Sequence, residues 1–341
     1  MKSRIVVLGA DGFIGRHVVA ALDASAWAQA VPAGRRPAAP MGAVHGARLQ
    51  LDATDANALE AALQGADAVV NCIAGSARTI EDSSRALFAV AQRLRQAPVI
   101  VHLSSMAVYG SAEGDIDESA PLRADLGPYA SAKIASEQLA RQYERRVVLR
   151  PGIVYGPGGA LWSALVGRLL LARRLGDLGA AGAGICSLVY VEDLVAAVLQ
   201  ALRRPAALGL TLNLAAPAAP TWNEYFARYA AALHATPVRN IGPWRLQAEL
   251  RVAGPALKLG EVLLRAAGRP VDALPPSIRP WLLAQCRHRI GLQSQRAQQA
   301  LGLEWTPLDA GLRRTADWLL GACRPAPGGR ATAITQGSDP A

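Results

Sequence analysis

The sequence predicts an α/β protein built on a doubly wound parallel sheet, with a smaller, mainly helical C-terminal lobe. Three observations carry that prediction. Short aliphatic runs alternate with longer Ala-rich amphipathic stretches over the first two hundred residues, a glycine-spaced turn follows the first run, and the alternation fails after about residue 157.

The runs read as strands are RIVVLG (4–9), QAVPAG (29–34), AVVNCIAG (68–75), VIVHLSS (99–105) and RVVLRPGIV (146–154). Helical stretches lie between them at 13–24, 56–64, 82–96 and 129–143. These elements make residues 1–157 the dinucleotide-scale domain, with about 180–215 returning to the sheet. Residues 158–323 supply most of a substrate-binding lobe. The Gly- and Pro-rich stretch 324–341 reads as a disordered tail.

Bulk properties set the limits. With 341 residues and 51% hydrophobic composition, the chain can bury a full core. Its net charge of +10 comes from scattered arginines rather than blocks, so no nucleic-acid partner is expected. The five histidines show no metal-ligand spacing, and no metal site is expected. Cys72, Cys186, Cys286 and Cys323 form no CxxC pair, and the chain opens into a strand rather than a leader. A reducing cytoplasm without disulfides follows as the expectation. No apolar run is long enough to span a bilayer. LWSALVGRLLLARRL (161–175) and VAGPALKLGEVLLRAA (252–267) read instead as amphipathic helices, which leaves peripheral membrane contact open.

The chemistry begins at GADGFIG. Gly9, Gly12 and Gly15 sit between a strand and a helix, with Phe13 and Ile14 opening that helix. A dinucleotide pyrophosphate needs close backbone approach and free N–H groups at a helix start, and this turn supplies both. A Rossmann-type cofactor site is therefore expected. About twenty residues on, where NAD-binding chains carry an acid for the ribose, the sequence reads GRRP; Arg35 and Arg36 suit a 2′-phosphate, so NADP is preferred over NAD. Asp52, with Ala53 beside it, follows an apolar run and is placed to accept from the adenine amino group.

YASAK holds the second constellation. Tyr129 and Lys133 are four apart in a helix that Pro128 starts, so both project from one face. An ammonium beside the phenol is expected to lower its pKa and make it a proton donor and acceptor. The strand VIVHLSS ends in Ser104 and Ser105, where a hydroxyl can bond the substrate oxygen that Tyr129 protonates.

Taken with LSSMAVYG, RPGIVYGPGG and LVYVEDL, these segments resemble the extended short-chain dehydrogenase/reductases, the NAD(P)-dependent epimerase/dehydratase family. The likeness is strong over residues 4–200 and weaker through QSQRAQQALGLEWTPLDAGLRRTADWL. It implies that Ser105, Tyr129 and Lys133 are catalytic, that Ala74 and Gly75 pass the cofactor, and that Pro151, Gly152, Ile153 and Val154 lie by the nicotinamide. It also implies a homodimer through the helices near 82–96 and 129–143.

Departures narrow the activity. Dehydratases of that family carry Asp-Glu directly after the catalytic hydroxyl; here Met106 and Ala107 stand there, which removes the acid/base pair that elimination needs. Many sugar-nucleotide epimerases have Asn where this chain has Ile153. Arg168, Arg173, Arg174 and Arg251 remain as possible phosphate contacts, while Trp162, Trp222, Trp244 and Trp281 suit an apolar pocket wall or ordinary core. The expectation is reversible hydride transfer between NADP(H) and a small-molecule secondary alcohol or ketone. The alternatives are a nucleotide-sugar 4-epimerase with tightly held NAD and a non-catalytic dinucleotide sensor or assembly factor.

Overall fold

A computed structural model describes residues 2–36, 48–268 and 274–323; the expected tail at 324–341 lies outside the described residues. Eleven strands are described: β1 (Ser3–Leu8), β2 (Ala28–Gly34), β3 (Leu49–Gln50), β4 (Ala68–Asn71), β5 (Val99–Leu103), β6 (Gly114–Ile116), β7 (Arg146–Pro151), β8 (Ile153–Tyr155), β9 (Leu188–Tyr190), β10 (Thr211–Leu214) and β11 (Ile290–Leu292). The α-helices are α1 (Phe13–Asp23), α2 (Ala56–Leu63), α3 (Ala77–Arg93), α4 (Pro128–Arg141), α5 (Val166–Leu171), α6 (Val191–Arg203), α7 (Trp222–Ala232), α8 (Pro243–Ala248), α9 (Gly254–Ala266), α10 (Pro280–Gln285), α11 (Gln295–Leu301) and α12 (Leu308–Cys323).

Seven strands make one parallel sheet in the order β10-β7-β5-β4-β1-β2-β3. The strand order reverses at β1, so a crevice opens beyond the C-terminal ends of β1 and β4. Strands covered on both faces need apolar side chains on both, and Ile5, Val6, Val7 and Leu8 of β1 are all buried. One face packs against α1 and α6, through Val18, Leu22, Leu194 and Val198; the other packs against α2 and α3, through Leu59, Leu63, Leu87 and Val90.

Local chemistry sets several boundaries. Asp55 caps α2 by accepting from the amides of Asn57 and Ala58, and Thr221 forms a reciprocal capping box with Glu224 at the start of α7. Ser76 caps α3 by accepting from Thr79 N, so this helix begins at Ala77 rather than at 82.

The run RVVLRPGIV divides in two. Gly152 breaks it, because a Cβ there would overlap the carbonyl of Ser187 as the chain leaves the large sheet. β8 then pairs with β9 in a separate two-stranded sheet, while β10 joins the large sheet beside β7.

The two amphipathic candidates also part company. The first becomes a π-helical turn, Ala160–Leu165, leading into α5, with Val166, Leu169 and Leu170 in the core. The second becomes α9, where no residue is buried. No described helix is long and apolar enough to cross a membrane.

Candidate active site

The turn after β1 meets the demands of a pyrophosphate cradle. Gly9 takes φ +74°, and an added Cβ would lie 3.0 Å from the backbone of Cys72. At Gly15 a Cβ would overlap the Gly9 carbonyl and come within 2.9 Å of Ala10 Cα, so only glycine lets α1 start this close to the strand. Gly12 caps α1 without a side-chain hydrogen bond, and the first turn carries no acid. Its free N–H groups suit anionic oxygens. This donor set fits a bound dinucleotide.

Beyond β2, Arg35 and Arg36 are exposed. Asp52 is exposed as well; its carboxyl is held below the usual range by hydrogen bonds from the amide and hydroxyl of Thr54, with the Arg35 charge adding to the effect. Arg48 was not singled out in the sequence. It donates to Asp11 Oδ2 at 2.5 Å and to the Arg36 carbonyl at 3.3 Å, tying the glycine turn to the ends of β2 and β3. Its only sequence signal was an acid inside GADGFIG.

Tyr129, Lys133 and Ser105 converge at the C-terminal edge of the sheet. Ser105 caps a 3-10 turn, Met106–Tyr109, by accepting from Ala107 N at 3.1 Å, and its hydroxyl hydrogen-bonds the Tyr129 phenol. α4 starts at Pro128, as its fixed φ favours, and brings Lys133 one turn behind the tyrosine. Lys133 Nζ donates to Leu103 O at 2.8 Å and Ile73 O at 3.4 Å, bridging the ends of β5 and β4.

One sequence expectation is corrected here. Lys133 Nζ stands 5.9 Å from the Tyr129 ring centroid, engaged by those carbonyls. Tyr129 is shifted upward, because burial outweighs the Ser105 hydrogen bond. Lys133 itself is pushed down to about 8 by burial, against the opposing pull of Cys72 and Glu137. The phenol is therefore held protonated, ready to donate.

The other expected cofactor contacts fall along the same edge. Ala74 is exposed and Gly75, at φ +134°, is half-buried in the loop between β4 and α3. Pro151 and Ile153 are buried, whereas Gly152 and Val154 are half-exposed. Ile153 and Met106 belong to one apolar cluster. Trp222 is buried and rests against Trp162, which packs on Trp281, so these three are core; Trp244 is 87% exposed and walls no pocket. The Arg174 guanidinium is taken by Glu249.

Beneath the trio lies a buried polar network that the sequence reading missed. Arg150 makes a two-pronged pair with Glu137, at 2.9 Å from Nε and 2.6 Å from Nη2, and both side chains are at most 2% exposed. Arg150 Nη1 also donates to Tyr109 Oη, which donates to Asn213 Oδ1 at 2.6 Å. Ser104, in turn, donates to Glu137 Oε1. The network locks α4 to β5, β7 and β10 and so fixes where Tyr129 stands. Its sequence signals were Glu137, eight residues after Tyr129 on the same helix face, and an arginine ending an apolar strand.

His102 forms a second buried link. Ser136 Oγ already donates to Lys133 O, so the His102 Nε2–H donates to Ser136 and its Nδ1 accepts from Asn71 Nδ2. Burial, reinforced by the Lys133 charge, pushes this imidazole down to about 3. The unfolded chain therefore binds one more proton between pH 3 and 6.5, and stability falls as pH drops through that window. From pH 6.5 to 5, above the range where carboxylates titrate, the loss is about 2 kcal/mol. Urea midpoints for the native chain and H102Q check it; equal slopes overturn the assignment.

Residues 5–215 match the model of the NAD dependent epimerase/dehydratase family. The chain belongs to that family. As an extended short-chain dehydrogenase/reductase, it is an NAD(P)-dependent enzyme. Over 276 residues it is 30% identical to the 3-diazoavenalumate denitrifying reductase of a Streptomyces species, covering 70% of this chain and 84% of that one. Over 249 residues it is 29% identical to the ceramide reductase of Caulobacter vibrioides, covering 68% and 71%. Among solved structures, UDP-glucuronic acid 4-epimerase from Bacillus cereus superposes with a TM-score of 0.69 at 17% identity, covering 93% of this chain and 99% of that one. The dTDP-glucose 4,6-dehydratase of Bacillus anthracis reaches 0.71 at 17% identity, covering 94% and 97%. At that identity the likeness describes the family's fold.

Proposed function

We propose that this enzyme transfers hydride reversibly between NADP(H) and a secondary alcohol or ketone, using Ser105, Tyr129 and Lys133. The observation that supports the reading is the meeting of the Ser105 and Tyr129 hydroxyls, followed directly in the chain by Met106 and Ala107, with no second acid or base at those two positions. That supports a plain carbonyl–alcohol exchange over an elimination. Both relatives described above are named as reductases, which supports the same direction.

In the reductive direction the substrate oxygen lies between Ser105 Oγ and Tyr129 Oη. A dinucleotide held at the Gly9–Gly15 turn would supply the hydride that reduces the carbonyl carbon. Tyr129 gives its proton to the oxygen as negative charge develops there, and Ser105 holds that oxygen in line. Lys133 would stabilise the phenolate that remains and would help hold the ribose next to the nicotinamide. Turning the ammonium from the carbonyls of Leu103 and Ile73 toward the phenol accompanies that step.

The preference for NADP rests on Arg35 and Arg36, with Arg48 held beside them by Asp11. Charge-assisted phosphate contacts are worth about 1.5–3 kcal/mol, and because Arg35 and Arg36 are both exposed to screening solvent that figure is taken for the two together. The double variant R35A/R36A is therefore expected to weaken NADPH binding by about 10- to 100-fold while changing NADH binding less than about threefold. Titration of fresh protein with both dinucleotides measures it. Stoichiometric NAD released on denaturation, or tighter NADH binding in the native chain, overturns the NADP reading and favours an epimerase that keeps its cofactor.

A further inference from the structure

We propose that the helical segment 243–266 is an in-plane anchor that seats this enzyme on the surface of an anionic lipid bilayer. It comprises α8, a π-helical turn at Glu249–Ala253, and α9, without a break in helical backbone.

Three rows of side chains run along it. Leu250, Leu257, Gly260 and Leu264 are half-buried and face the rest of the molecule, with Leu250 packed against the core. On the opposite side, Val252, Pro255, Ala256, Leu259, Val262 and Leu263 recur at helical spacing, and all are exposed. Among them Val252 is 67%, Leu259 62% and Leu263 61% exposed, an unusual outlay of large aliphatic surface for a face that meets only water. Trp244, 87% exposed, adds an aromatic near the start of the segment.

The third row gives the stripe its partner. Arg251, Lys258 and Arg265 are spaced seven apart and lie along one edge of the apolar stripe, between it and the inward face. Of the two acids in the segment, Glu249 is turned inward onto Arg174, while Glu261 pairs with Arg265 at 2.5 Å on the cationic side. The stripe itself carries no acid.

An apolar face rimmed by cations is the requirement for a helix lying at a lipid interface. Its aliphatic groups enter the acyl boundary while long basic side chains reach the headgroup phosphates. The chain's net charge of +10 adds attraction to an anionic surface. A water-filled groove or an ordinary protein partner would not demand the cation row; an anionic membrane does. No described helix is long and apolar enough to span, and this segment carries Arg245, Glu249, Arg251, Lys258, Glu261 and Arg265, so the contact is peripheral.

The test is co-sedimentation of the full chain with phosphatidylcholine vesicles, with and without phosphatidylglycerol, at low and high salt. Binding is expected to the anionic vesicles, at least about tenfold above the neutral ones, and to fall as salt screens the cations. R251Q/K258Q should reduce it on the order of tenfold. L259S/L263S should abolish most of it while leaving NADPH binding and circular dichroism unchanged, since both leucines are exposed in the fold. Absence of vesicle binding, or equal binding by L259S/L263S, overturns the proposal. So does conversion of a dimer to a monomer by that variant without loss of vesicle binding, which assigns the stripe to a second copy of the chain.

Discussion

Tyr129→Phe is expected to lower turnover on the order of a thousandfold while NADPH affinity stays within about twofold. The substitution removes one oxygen from a half-buried ring and keeps the ring's packing. That oxygen is the one hydrogen-bonded to Ser105, and burial holds it protonated. The positions after Ser105 hold Met106 and Ala107, which offer no acid to take over the proton. Lys133, one turn on, keeps its anchors at Leu103 O and Ile73 O whether or not the hydroxyl is present, so the cofactor side of the site should be undisturbed. Steady-state rates on a ketone selected by NADPH oxidation, together with a dinucleotide titration, separate the two effects. Retention of more than about a tenth of native turnover sinks the proton-donor role, and joint loss of turnover and binding points to a collapsed site.

The largest expected effect on stability comes from Glu137→Ala. It would leave Arg150 charged, at most 2% exposed and without its carboxylate, and such uncompensated burial costs about 3–5 kcal/mol. The burial of Arg150 also fixes Tyr109 and Asn213, so the loss would spread to β10. Urea unfolding should show the midpoint fall steeply, and thermal unfolding should follow. The pair's worth against apolar replacement is a different quantity: E137L/R150M, which removes both charges together, is expected to recover much of the loss. If Glu137→Ala stays within about 1 kcal/mol of the native chain, the network does not hold α4 in place.

Much of the molecule was legible because its signals are local. Alternation of apolar runs and amphipathic stretches marked β1, β2, β4, β5 and β7 and the helices between them, since the periodicity that buries one face is written in consecutive residues. Gly9, Gly12 and Gly15 were legible for the same reason, since their spacing is written in seven consecutive residues; Gly9 is required by its positive φ and Gly15 by the close approach of the Gly9 carbonyl. Tyr129 and Lys133 were readable from an i,i+4 spacing. Misplaced boundaries trace to single atoms: the Ser76 cap that starts α3 early, and the Ser187 carbonyl that admits only glycine at position 152 and divides one apolar run between two sheets.

By itself, then, the sequence determined the fold class, the glycine turn and the identity of the three polar side chains at the sheet edge. Only the tertiary structure decided their electrostatics. Lys133 meets carbonyls from the loop after β4 and from the end of β5, sixty and thirty residues away, and burial raises the Tyr129 phenol that the isolated spacing suggested would be lowered. The same holds for Glu137 with Arg150, for Arg48 with Asp11, and for the fates of the two amphipathic stretches, one in the core and one exposed. Desolvation and pairing depend on what surrounds a group in space, and those neighbours come from strands and helices far apart in the chain.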